Sequence, residues 1–125
     1  MIFPAEASLE VQRPLAILVT GDLFLGSRLK AFAENAGYRV MTVAGCDRAI
    51  ALSSEHPDRI VLDLTAPRMN VESVVDGYAG FVPDRIAAYA PHVRTDLLRA
   101  ARAAGLRSVF TRSQLDIELP RWLAQ

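Results

Sequence analysis

One carboxylate, Asp63, closes the apolar run Ile60-Val61-Leu62, and a proline follows at position 67. The run is short and largely β-branched, and the turn signal Pro57-Asp58 precedes it. That is the pattern of a strand buried on both faces. A buried strand ending in Asp delivers its charge to the carboxyl rim of the sheet, where open parallel sheets bind ligands. Asp63 is therefore the first candidate for chemistry.

Other polar residues fall just past apolar runs and can reach the same rim. Asp22 follows Leu15–Val19 and is either a metal ligand or the N-cap of the next helix; Asp is among the best N-caps, so the cap reading is preferred. His92 follows Ile86–Ala90. It can serve as a general base or ligand, but one His without a second His or Cys beside it is a weak metal signal. A surface histidine at a helix start is the simpler reading. Arg112 follows Ser108–Thr111 and precedes a helix start at Ser113. It can hold an anion there, or it can pair with Asp63.

Several other patterns lead nowhere. Cys46 has no paired His in sequence reach, and Gly21 and Gly26 do not make a dinucleotide fingerprint. Arg94, Arg99, Arg102 and Arg107 surround an amphipathic helix diluted by Asp96, the pattern of a solvated face.

The chain has 125 residues, of which 51% are hydrophobic, enough for the core of one domain. Fourteen acidic and fourteen basic residues cancel and are interspersed, which argues against nucleic acid and anionic membranes as partners. A single cysteine excludes an internal disulfide and fits a reducing cytoplasm. No apolar stretch reaches the ~20 residues that span a bilayer. The expected location is cytoplasmic.

The elements that must position these residues alternate along the chain. An arm over residues 1–14 precedes a folded unit over 15–125. Strands are expected at Leu15–Val19, Tyr38–Val43, Arg59–Asp63, Ile86–Ala90 and Ser108–Thr111. Helices are expected from Asp22 to about Ala36, from Asp47 to before His56, over Val71–Tyr78, over Val93–Ala104, and from a Ser113 cap through Leu123. The segment Gly77-Tyr78-Ala79-Gly80 blurs the end of the third helix, and Pro120 is expected to bend the last one or begin a new turn. Such alternation implies parallel strands joined by right-handed crossovers, with helices on both faces.

On these residues the chain resembles the receiver domain of bacterial response regulators, over roughly Leu15 to Leu123. Leu62-Asp63-Leu64-Thr65-Ala66-Pro67 is similar to that family's phosphoacceptor strand and its proline-bearing loop. The spacing from the first strand to Gly37 and the turn at Gly105 match as well. The resemblance implies a flavodoxin-like, doubly wound five-stranded parallel sheet in the order 2-1-3-4-5. It also implies acidic Mg²⁺ ligands after strand one, Ser or Thr at the end of strand four, and Lys then Pro at the end of strand five. Here those places hold Thr20-Gly21 with Asp22 one position late, Ala90 with Tyr89 beside it, and Arg112-Ser113.

The reading that follows is a degenerate receiver-like signalling module. It is not an enzyme, needs no cofactor and acts through protein contacts. Asp63 would be a vestigial phosphoacceptor, its carboxylate paired with Arg112 or capping nearby amides. The rim pocket would comprise Asp22, Thr65, Ala90, His92 and Arg112. The contact face would be Val93–Leu123, with Leu115, Leu119 and Trp122 as interface candidates and a homodimer as one possible assembly; the competing reading folds Trp122 back to close the bottom of the core. Two alternatives stay open. One is a phosphorylatable single-domain regulator holding Mg²⁺ through Asp22 and Asp63. The other is a binder of a small anion at Arg112.

Overall fold

The computed structural model describes residues 13–81 and 83–125. In chain order it contains β1 (Leu15–Val19), α1 (Leu23–Asn35), β2 (Arg39–Val43) and α2 (Cys46–Ala51), which a 3-10 turn over Leu52–Glu55 extends. β3 (Arg59–Asp63) and α3 (Val71–Gly77) follow, then a 3-10 turn over Pro83–Arg85. β4 (Ile86–Ala90), α4 (Thr95–Ala103), β5 (Ser108–Thr111), a 3-10 turn over Arg112–Gln114 and α5 (Leu115–Leu123) complete the chain. The five strands are parallel in the order β2-β1-β3-β4-β5. This is the flavodoxin-like sheet that the resemblance implied.

Strand periodicity divides the interior into two cores. On one face Ile17, Ile60, Leu62 and Ala88 pack against Val74 of α3 and Leu98 of α4. On the other Leu18, Val61, Ala87 and Tyr89 pack against Leu29 of α1 and Leu115, Leu119 and Trp122 of α5. The central strands β1 and β4 are buried throughout, which explains their unbroken apolar sequences. Gly37 and Gly105 take positive φ, 96° and 102°, just past the ends of α1 and α4, where a side chain would be strained. Among the described residues no helix is long and apolar enough to cross a membrane.

Four expectations need correction. α4 starts at Thr95, not Val93, because a turn closed by Arg94 N–H on the Pro91 carbonyl comes first. The cap before α5 is Thr111, not Ser113: the Gln114 side chain accepts from Thr111 N–H at 2.9 Å, and the Thr111 side chain accepts from Gln114 N–H. α5 runs on through Pro120 as one helix. Finally, Leu115, Leu119 and Trp122 are not an exposed contact face; they are 1%, 0% and 3% exposed. They recur at i, i+4 and i+7, the inward stripe of an amphipathic helix. Trp122 Nε1 donates to the Asp84 carbonyl at 2.8 Å, and the Arg59 guanidinium lies 5.6 Å from its ring centroid. The apolar surplus of α5 that does reach solvent is Ile117, together with Leu23 and Phe24 at the start of α1 and Val93 before α4.

Of the expected arm only Arg13 and Pro14 fall among the described residues. Their carbonyls accept from the Arg39 Nε and backbone N–H at 3.3 and 2.9 Å.

Candidate functional site

Alternation along three strands brings Thr20, Asp63 and Tyr89 to one end and one face of the sheet. Leu18 and Val61 point into the α1/α5 core, so Thr20 and Asp63, two residues further on, point the same way. Tyr89 is the register partner of Asp63 on β4 and belongs to the same core. Ala90, one residue later, packs into the opposite core.

The Asp63 side chain is buried at 3% exposure, and hydroxyls and an amide hold it. Thr20 Oγ1 donates to Oδ2 at 2.9 Å. Thr65 donates to Oδ1 twice, from its backbone N–H at 2.9 Å and from Oγ1 at 2.6 Å. These are charge-assisted bonds from neutral donors. Thr20 Oγ1 in turn accepts from Asp22 N–H at 3.0 Å, which ties the buried carboxylate to the start of α1.

Of the two arrangements expected for Asp63, the structure shows the capped amide, at Thr65 N–H, and not the pair with Arg112. Its Nη2 reaches Asp22 Oδ2 at 3.3 Å, with both side chains partly exposed. The physical reason is cost. Bringing a guanidinium beside a buried Asp63 would strip it of water, whereas Asp22 meets it at the surface. Asp22 also caps α1, since its Oδ1 accepts from Leu25 N–H at 3.0 Å. The rim is thus two linked units: a buried Asp63 held by threonines, and a surface Asp22–Arg112 pair joining the starts of α1 and α5. Thr65 belongs to the first unit, and His92 stands exposed just past β4 outside both.

Two members were underrated in the sequence. Thr20 registered only as a missing acid, although its face parity with Asp63 was readable. Tyr89 registered only as the neighbour of Ala90. Its hydroxyl is buried without a partner in hydrogen-bonding geometry among the described residues. Burial first, and then the Asp63 and Asp22 charges, raise its pKa well above the ordinary tyrosine value; the Thr20 hydroxyl and Arg112 offset this in part.

No family sequence model matches this chain, and neither does any curated protein. Solved structures do. The signal receiver domain of an HD domain-containing protein from Pseudomonas fluorescens superposes with a TM-score of 0.72 at 16% identity, covering 90% of this chain and 88% of that one. The non-phosphorylated HemR receiver domain from Leptospira biflexa gives 0.70 at 22%, with 90% and 96% covered. The receiver domain of a sensor histidine kinase from Pseudomonas aeruginosa, described with a magnesium ion coordinated in its active-site cleft, gives 0.68 at 20%, with 90% and 99% covered. The chain has the receiver fold.

Proposed function

We propose that this chain is a degenerate receiver-like signalling module that works through protein contacts and takes no phosphoryl group at Asp63. The observation that supports this best is the state of Asp63. Both its oxygens are engaged by Thr20 and Thr65, and Thr20 stands where the resembling family carries an acid. An attacking carboxylate needs a free oxygen and a metal to neutralise charge on the transferring phosphoryl oxygens.

The donor set does not fit Mg²⁺. That ion is held through one or two carboxylates in near-octahedral geometry. Asp63 is buried with both oxygens already accepting hydrogen bonds, the Asp22 carboxylate is divided between the α1 cap and Arg112, and Gly21 offers no side chain. Among the described residues no group of three His, Cys, Asp or Glu side chains is placed to hold a metal. At the same end of the fold, Leu23 and Phe24 stand exposed beside Asp22 and give a partner an apolar surface.

A Mg²⁺ titration followed by amide shifts tests the metal half of this reading. The expected result is no saturable change at Asp22, Asp63 or Arg112 at millimolar Mg²⁺. A local, saturable response abolished by Asp63→Asn would favour the phosphorylatable regulator instead.

A further inference from the structure

At the other pole of the sheet, below the amino ends of β3 and β4, lies a cleft of about 450 Å³. That volume is in the range of small-molecule sites. One wall is the exit of the 3-10 turn after α2, with Ser53, His56 and Asp58; the other is the exit of α3, with Tyr78, Phe81 and Arg85. The floor follows from the run Gly77-Tyr78-Ala79-Gly80, which had no assigned purpose in the sequence. Gly77 cannot carry a side chain without meeting Ile50 at 2.9 Å, so α2 and α3 close tightly there. Ala79 and Gly80 beyond it leave space where larger residues would fill the cleft.

Three kinds of chemistry converge on this space. Arg85 makes no ion pair among the described residues; its guanidinium rests on the Phe81 ring, 5.8 Å from the centroid. It is an exposed planar cation, one face on the ring and its hydrogen-bonding edge available to an anion. The imidazole of His56, whose backbone lies in the left-handed region at φ 51°, and the Ser53 hydroxyl add donors. Phe81 and Tyr78 form a tilted aromatic pair with centroids 5.4 Å apart, and Tyr78 is fixed by its hydroxyl donating to the Ala49 carbonyl at 2.6 Å. Asp58 binds Leu15 N–H through Oδ2, and Oδ1 remains as an acceptor for ligand hydroxyls or an amine.

From the meeting of an unpaired arginine, an aromatic wall and a carboxylate acceptor in one cleft, we propose a binding site for a small aromatic phosphate of mononucleotide size. The phosphate meets Arg85 and His56, the ring lies along the Arg85–Phe81 stack, and Asp58 takes a hydroxyl or amine. The site is independent of Asp63 and of the reading given to the rim.

The test is a titration of the ¹⁵N-labelled protein with adenosine monophosphate, inorganic phosphate and adenosine, repeated on Arg85→Gln and His56→Asn. Asparagine tolerates the left-handed backbone at position 56. Thermal melts of both variants establish that they fold. Saturable shifts at residues 53–58 and 77–81 are expected with the mononucleotide. Affinity should be roughly tenfold weaker or worse in Arg85→Gln, as loss of a hydrogen bond to a charged group implies. Three results would overturn the proposal: no saturable response at millimolar mononucleotide, an equal midpoint for inorganic phosphate or adenosine alone, or unchanged affinity in a folded Arg85→Gln.

Discussion

The two poles of the sheet handle their charges in opposite ways. At the carboxyl rim the two carboxylates are answered from within: threonines hold Asp63, and Asp22 meets Arg112. At the amino pole Arg59 is clamped between the Tyr38 and Trp122 rings, while Arg85, a few residues beyond α3, is left facing open space. On the proposed reading the contrast teaches that a buried carboxylate held by neutral donors is a structural knot rather than a reactive group. Polar capacity left unspent is the better guide to binding, and here it lies at the opposite end.

The largest expected effect is at the amino pole. Trp122→Ala removes a buried indole, the bond to the Asp84 carbonyl and one side of the Arg59 clamp, and should cost ~3–5 kcal/mol. Denaturant unfolding measures it. A loss under about 1 kcal/mol would mean that the tryptophan is not core.

The rim knot should cost less to cut. Asp63→Ala orphans the Thr20 and Thr65 donors and should lose roughly 1–3 kcal/mol, with Asp63→Asn losing less because it keeps an acceptor. Stability that rises in Asp63→Ala would show a carboxylate poised for chemistry rather than for structure.

These contrasts mark where the sequence was legible. Four of the five strands fall on their expected bounds because buried parallel strands are short apolar runs with clear turn signals. The Asp22 cap was legible because capping is local chemistry. The Asp22–Arg112 pair was not, since it depends on which of two carboxylates meets the guanidinium where water is still present, a question of three-dimensional depth. Trp122 stayed open between an interface and the core because counting apolar residues in α5 ignores helical phase; the 115, 119, 122 spacing held the answer. The Thr111 cap was missed in favour of Ser113 because Gln114 completes the box only when Thr111 ends the strand.

Tyr89→Phe sharpens the account of the rim. Deleting a buried hydroxyl with no partner should be neutral or stabilising by up to about 1 kcal/mol. The pH dependence has a definite sign. The folded pKa lies above the unfolded one, so the tyrosine's protonated form supports the fold fully below the ordinary value near 10, and that support is lost as pH rises past it. Tyr89→Phe should flatten the alkaline decline in stability. An unchanged decline would assign it to other groups, such as Tyr78, whose pKa burial also raises.

The smallest effect belongs to the surface pair. Asp22→Ala should cost ~1 kcal/mol through the lost cap, while Arg112→Ala should cost at most about 0.5 kcal/mol. In a double-mutant cycle Arg112 should couple to Asp22 and not to Asp63. Coupling to Asp63 instead would restore the buried ion pair.

The central claim, that Asp63 is structural, is tested most directly by incubating the chain with acetyl phosphate and Mg²⁺ and recording its intact mass. The account predicts an unchanged mass in wild type and in Asp63→Ala alike. A gain of one phosphoryl group in the wild type, absent from Asp63→Ala, would contradict it.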